Sequence, residues 1–517
     1  MTTRRVGRVL ALLLAVIATA PVAARAAAFG FDQVVAKARE RAGQSYQAPA
    51  EVPEFMRKLS YDEFRSIRFD PQKSLWRDSG SKFEVMLMAP GLFFRAPVAI
   101  NIIDSDGVQR LPFRKDVFQV DNPELARKLP ADLGYAGFKL TFPINARGVS
   151  DQFLVFAGAS YFRGVGKGDV FGLSSRGAAI DTGLMSGEEF PDFVEFWLER
   201  PSKSANAIRL YALLDSKRMT GAYQFSVYPG QPTQIDVKAE LFTRKPIELL
   251  GVAPLTSMFF YGENTTRPQG EWRPEVHDSD GLLIFNGSGE WLWNPLMNPL
   301  GLNMQAFSVD NVRGFGLMQR DQAFASYHDT EAHYHRRPSA WVMPQGDWGK
   351  GRIVLVEIPT RDETNDNMVA FWSPPGPVAA GQRLAFDYRL VFGNQSVARE
   401  RLARTVDSFV GRGDLIGGGN VAGAYRVVVD FAGPPLDALR ANAPVNADVS
   451  AQEGGEVLEH FVTYIEAAKR WRLSILARPA EDKPLALRAA LRLEGQTLTE
   501  TWTYTLPSKN ALTGEAR

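Results

Sequence analysis

The sequence predicts an all-β protein made of a large β-sandwich followed by a small one. Three observations carry this. Ile235, Val237, Ala239 and Leu241 alternate with Gln234, Asp236, Lys238 and Glu240, a period of two that buries one face of a strand and wets the other. The 45 glycines and 32 prolines punctuate many short runs of this kind, a pattern of antiparallel strands joined by turns rather than of βαβ units. The chain has 517 residues, more than one hydrophobic core sustains.

The elements follow in order. Arg4, Arg5 and Arg8 precede an apolar run from Val9 to Ala20, and Ala24-Arg-Ala26 meets the small-x-small cleavage rule. Residues 1–26 therefore read as a signal peptide, too short in its apolar part to anchor in a bilayer. The Arg4-Arg5 pair is followed by Gly7 and Arg8, which favours the general secretory route over twin-arginine export. Two helices are expected next. Asp32 caps a run with Val34, Val35 and Ala38 that stops at Gly43, and Ser60 with Glu63 has capping-box spacing before Phe64 and Ile67. Strand patterns then run through Phe83–Met88, Ile208–Leu214, Tyr223–Tyr228, Ile353–Ile358 and Leu384–Phe392. Together they define a large N-terminal unit over 27–394. Residues 395–422, charged and then glycine-rich, read as a linker. Strands resume at Tyr425–Phe431, Val457–Ile465, Leu473–Ala477, Leu485–Leu493 and Leu498–Leu506, the last two closing a hairpin around Glu494-Gly-Gln496. Residues 423–517 thus suit a small immunoglobulin-like sandwich without its usual disulfide.

Composition narrows the function. Lys plus Arg is 59 and Asp plus Glu is 58, so no basic excess points to nucleic acid. The absence of cysteine removes thiol chemistry and suits an oxidising compartment. Gly164-Val-Gly-Lys-Gly168 lacks Walker spacing and reads as a turn. Arg412-Gly-Asp414 reads as linker. His333 and His335 share a face of an extended segment, yet no third ligand is evident in the sequence. There is no G-x-S-x-G run. The expectation is therefore no metal and no cofactor.

Chemistry concentrates in two segments. One is Glu271-Trp-Arg-Pro-Glu-Val-His-Asp-Ser-Asp-Gly281 with Glu290-Trp-Leu-Trp293. The other runs from Gly346-Asp-Trp348 through Glu357-Ile-Pro-Thr-Arg-Asp-Glu-Thr-Asn-Asp-Asn367 to Phe371-Trp372. Both mix carboxylates with tryptophan. Glycosidic cleavage needs one protonated carboxyl and one ionised carboxylate, and sugar rings stack their C–H faces on Trp and Tyr. Turn formation and core packing compete with that reading on composition alone.

A resemblance decides between them. Phe29-Gly-Phe-Asp-Gln-Val34, Leu59-Ser-Tyr-Asp-Glu-Phe-Arg65, Met88-Ala-Pro-Gly-Leu-Phe93 and Asp132-Leu-Gly-Tyr-Ala-Gly-Phe138 are followed by Phe156-Ala-Gly-Ala-Ser-Tyr-Phe-Arg163 and Gly187-Glu-Glu-Phe-Pro-Asp192. Ser257-Met-Phe-Phe-Tyr-Gly-Glu-Asn264, His277-Asp-Ser-Asp-Gly281, Gly314-Phe-Gly-Leu-Met-Gln-Arg-Asp321 and Arg337-Pro-Ser-Ala-Trp341 complete the set. Over 29–394 the chain closely resembles the periplasmic glucan biosynthesis G/D family. The resemblance implies a galactose-mutarotase-like N-terminal sandwich, a periplasmic location and work on the β-1,2-linked backbone of osmoregulated periplasmic glucans. It implies an inverting acid/base pair, with Asp366 as acid and Asp278 as base. Asp280 and Asp362 are their rivals within the same motifs. Glu363 and Tyr334 are expected to position sugar hydroxyls, and Trp272, Trp291, Trp348 and Trp372 to offer stacking faces. Hydrolysis and transglycosylation both fit. The competing expectation is a non-catalytic glucan-binding scaffold. The expected partners are β-1,2-glucan and a membrane glucan glucosyltransferase, with a homodimer left open.

Overall fold

The computed structural model describes residue 2 and residues 29–508, apart from 395–396, 399–400, 415–418 and 453. The expected signal peptide, 1–26, lies outside the described residues except for Thr2. Among the described residues no helix is long and apolar enough to cross a membrane.

The chain is mostly β, as expected. Two large sheets face each other. One contains Glu84–Met88, Gly137–Phe142, Asp151–Ala157, Tyr161–Gly164, Leu250–Ser257, Met368–Ser373, Lys350–Glu357 and Asn303–Asp310. The other, 15-stranded, runs through Asp192–Glu199, Ile208–Asp215, Met219–Tyr228, Thr233–Thr243, Arg383–Gly393, Ser339–Gln345, Gly314–Met318, Gly281–Phe285 and Trp291–Pro295. Aromatic rings fill the space between them. Phe138 meets Phe196 at 5.1 Å, and Phe156 and Phe162 meet Phe225 at 5.2 and 5.4 Å. The alternation read at 234–241 is present: Ile235, Val237, Ala239 and Leu241 are buried, and Thr233–Thr243 pairs with strands on both sides.

The first helix spans Phe31–Ala42 and stops at Gly43. Its cap is Gly30 rather than Asp32, because the Gln33 side chain accepts from the Gly30 N–H and closes the turn two residues earlier. Asp32 falls in the first turn, where its charge faces the positive helix end. Val34, Val35 and Ala38 pack on Trp197, Tyr211 and Leu213, the outer face of the long sheet. The second expected helix is a single capped turn, Tyr61–Arg65, with Ser60 and Glu63 in the predicted reciprocal bonds. Ile67 is not on it but opens a strand, Ile67–Phe69.

The segment expected as a linker is corrected in part. Arg404–Asp414 is a strand paired with Asn420–Ala432. Two register shifts, at Thr405/Asp407 and Arg412/Asp414, break its period. Its buried inner positions include Thr405 and Ser408 rather than apolar residues, so the hydrophobic alternation that marks other strands is absent. With Asn420–Ala432, Arg470–Pro479 and Gly455–Ile465 it forms a four-stranded sheet. That sheet packs on Leu485–Leu493 and Thr501–Leu506, which extend the long sheet itself. Leu292 and Trp293 pair in parallel with Thr501 and Trp502. The hairpin at 494–496 turns through Glu494 and Gly495, both at positive φ, as a two-residue turn requires.

The glycine-rich run at 164–168 is a turn held by protein acceptors. The Gly166 N–H donates to Asp169, Lys167 N–H to the Gly230 carbonyl and Gly168 N–H to Asn145. No amide of these three is left to cradle a phosphate. Burial pushes the Asp169 carboxyl up to about 6, against the opposing Gly166 bond and the Arg336 charge. An unfolded Asp titrates near 3.9. Between about pH 4 and pH 6 the folded state therefore holds a proton that the unfolded state releases, and this group's contribution to stability falls as pH rises through that window. Asp169→Asn is expected to flatten the thermal-midpoint profile across that window relative to the parent, as followed by circular dichroism melts. An identical slope in both proteins would refute this.

Candidate active site

Two loops and one short strand build the site. The loop 358–367 joins the paired strands Lys350–Glu357 and Met368–Ser373. Asn367 fixes its return. Its Nδ2 donates to the carbonyls of Phe259 and Ile358, and its Oδ1 accepts from the Phe259 N–H at 2.9 Å. Asp366 is thereby held beside the strand Phe259–Tyr261. The same segment holds Asp278. The Asp278 N–H donates to the Met258 carbonyl at 2.8 Å, and the Ser257 hydroxyl donates to Ser279 at 2.8 Å. The segments carrying two aspartates far apart in sequence are thus anchored on adjacent residues, Met258 and Phe259.

Their environments differ. The Asp278 side chain is 5% exposed and forms an ion pair with Arg337. Burial raises its carboxyl, Arg337 pulls it back, and the charge of Asp366 raises it again. That last contribution marks Asp366 as a charged neighbour of Asp278. The Asp366 side chain is 26% exposed, and Arg163 Nη2 lies 3.4 Å from its Oδ2. Arg163 is aimed by a bond from its Nε to the Ser174 hydroxyl. Each aspartate therefore has a guanidinium partner from another part of the sheet.

Around the pair, Arg273 ties three carboxylates together: Glu271, Asp329 and Glu363, the last at 2.6 Å. Its hydrogen bonds hold the Glu271 carboxyl down at about 2. Arg273 so links the two acid-rich loops recognised in the sequence. Tyr334 is buried, with Arg337 stacked on its ring at 4.3 Å. Burial raises its phenol, and Glu363, within hydrogen-bond reach, adds to the rise. Trp272 stands at the rim, 63% exposed, beside Arg273.

Other expected residues sit elsewhere. Trp348 and Trp372 are core: their rings lie 5.4 Å apart, and Trp348 packs edge-on against Phe386 and Tyr388. Trp291 is stacked between Phe285 and Trp341 and packs with the C-terminal strands. None of the three brings a ring to the aspartates, because large apolar rings on inward strand positions are consumed by packing. The two rivals separate as well. Asp362 is spent on a turn, accepting from the Thr364 hydroxyl and N–H. Asp280 accepts from the N–H groups of Arg320 and Asp321, away from Asp366.

Arg163, Arg273 and Arg337 were not singled out by the sequence reading. Arg163 and Arg337 stand at the end and the start of two of the matched blocks, the only signal that marked them. The expectation of no three-ligand cluster also needs correcting. Among the described residues, Glu275, His277 and Asp321 bring their ligand atoms within 4.8 Å of one another. Asp321 comes from the loop after the strand Gly314–Met318, so its place beside His277 is invisible to spacing.

Comparison with known proteins adds the family. The family model described as Periplasmic glucan biosynthesis protein, MdoG, matches residues 29–506. A glucans biosynthesis protein G from Ralstonia nicotianae is 45% identical over 487 residues, covering 93% of this chain and 97% of its own length. Another from Serratia proteamaculans is 42% identical over 488 residues, covering 93% and 94%.

The electrostatic arrangement predicts opposite shifts from two substitutions. Arg337→Gln removes the charge that stabilises ionised Asp278 and is expected to move its titration upward. Asp366→Asn removes a repelling charge and is expected to move it downward. Carbon-13 NMR of labelled aspartate carboxyls reads both, and shifts of the same sign would contradict the geometry.

Proposed function

Because the chain belongs to the periplasmic glucan biosynthesis protein family, whose members serve glucan biosynthesis, we propose that it is a periplasmic enzyme acting on β-1,2-glucan with inversion. The observation that supports this reading is the convergence of Asp278 and Asp366, one buried and one open, each with its own arginine. Asp366 is the acid. A glucan seated over it displaces the water that solvates its carboxylate and favours the protonated form. It delivers that proton to the glycosidic oxygen as the C1–O bond breaks. Asp278 is the base. The attacking oxygen, of water or of a second sugar, bonds to C1 from the opposite face, and its proton passes to Asp278 directly or through intervening hydroxyls. Arg337 offsets part of the rise that burial imposes on Asp278 and so favours the ionised form that receives it. The cycle ends with Asp366 ionised and Asp278 protonated, and proton exchange with solvent resets both. Glu363 and Tyr334 position hydroxyls, and Trp272 offers a stacking face. The division into a glucan-acting unit over 27–394 and a C-terminal unit over 423–517 is part of the same proposal.

A second reading, glucan binding without turnover, is favoured by the two arginine partners, since guanidinium-paired carboxyls can accept from sugar hydroxyls without exchanging protons. Incubation with linear β-1,2-glucan and sizing of the products separates the two. Shortened or lengthened chains support the enzyme, whereas binding with an unchanged size distribution supports the scaffold.

Asp366→Asn is expected to lower turnover by about 10²–10⁴-fold while calorimetric glucan binding stays near that of the parent. Proton NMR of the earliest products is expected to show the α configuration at the new anomeric centre. A β product would mean a retaining mechanism and would remove Asp278 from its role. Trp272→Ala is expected to weaken glucan binding by roughly three- to tenfold with an unchanged melting temperature. Unaltered affinity would exclude Trp272 from the binding face.

A further inference from the structure

We propose that Glu275, His277 and Asp321 form a binding site for one divalent transition-metal ion of the zinc class, on the strand segment that precedes Asp278. The inference is independent of the reaction assigned above. It starts from convergence: a carboxylate, an imidazole nitrogen and a second carboxylate lie within 4.8 Å of one another. One nitrogen and two oxygen donors are a known zinc donor set, bound at about 2.0–2.2 Å, so a modest closure of the three groups completes it.

The orientation of His277 is the second observation. Gln319 Nε2 donates to the backbone carbonyls of His277 and Tyr334, at 3.0 and 3.3 Å. That fixes its Oε1 as an acceptor, 3.0 Å from His277 Nδ1. Nδ1 therefore carries the hydrogen. Nε2 is turned to the Glu275 carboxylate at 2.8 Å. A ring whose outer nitrogen is locked as a donor and whose inner nitrogen faces carboxylates is the arrangement that metal-bound histidines adopt. Without a metal, the nitrogen and the carboxylate oxygen need a proton between them. A metal ion replaces that proton.

The third observation is an orphaned oxygen. Asp280 Oδ2 accepts two backbone N–H bonds, but its Oδ1 is buried with no hydrogen-bond partner. Asp280 lies close enough to His277 and Asp321 to act on both. Glu263 adds a fourth carboxyl, which accepts from the Ser408 N–H of the C-terminal sheet. The nearby Arg320 guanidinium is engaged by Glu500 and the Thr405 carbonyl. Four carboxyl groups thus gather around one imidazole in a buried place, oxygen donors whose protons a divalent cation would displace. The ion would fix the residue before Asp278 and brace the junction with the C-terminal strands.

The test uses the full chain, dialysed against EDTA and then titrated with Zn²⁺ by calorimetry, with metal content read by mass spectrometry. Stoichiometric binding is expected, with a rise in melting temperature. His277→Gln and Asp321→Asn are each expected to weaken it at least tenfold, while His333→Gln and His335→Gln leave it unchanged. Should His277→Gln fail to fold by circular dichroism, Asp321→Asn and the parent titration still decide. Absence of stoichiometric binding to the parent, or equal binding by folded Asp321→Asn, overturns the proposal.

Discussion

The site depends on one side chain that touches no substrate. Asn367 gives both its amide hydrogens and its carbonyl oxygen to the backbone of Phe259 and Ile358. A side-chain amide that mimics a strand neighbour welds a long polar loop to a buried strand with three bonds, each dear to lose in an interior. Asp366 precedes it by one residue, and Met258, on the same strand segment, receives the Asp278 N–H. The backbone segments that carry the two carboxyls are therefore fixed to adjacent residues, Met258 and Phe259.

Charge is managed in layers around this frame. Guanidinium groups stand on the aspartates, and Arg273 gathers three further carboxylates at the loop bases. Behind them, Glu263, Glu275, Asp280 and Asp321 surround His277. Burial and mutual repulsion raise Glu263 to about 8 and Asp321 to about 9, so protons or a cation must be shared there. Asp278 lies between the arginine-paired aspartate site and the carboxyl-rich surroundings of His277. Its position in the sequence, directly after His277, couples the two.

Strand content and most strand positions were legible because period-two burial is a local property. Thr233–Thr243 shows it in the sequence and in the structure. The strand Arg404–Asp414 was not, because bulges shift its phase and polar Thr405 and Ser408 fill its inner face. The acid-rich loops stood out by composition, and the matched blocks singled out Asp278 and Asp366. The tryptophans were not separable by type. Trp272 in a loop is open, whereas Trp348 and Trp372 meet Phe386 across the sheet. Only partners distant in the chain tell these cases apart. The same holds for Asp321 beside His277, and for the arginines that neutralise the aspartates.

The parallel pairing of Leu292 and Trp293 with Thr501 and Trp502 has a bearing on how the molecule comes into being. Trp291–Pro295 ends the long sheet until the last described strand arrives to cover it. As the chain is made from its N-terminus, this strand waits with one row of N–H and C=O groups unpaired. A strand edge in that condition is a template for pairing with other chains, and contacts of such wide sequence separation form late. Self-association is thus a hazard of the unfinished chain rather than of the finished one. The C-terminal strand acts as the closing piece that ends it.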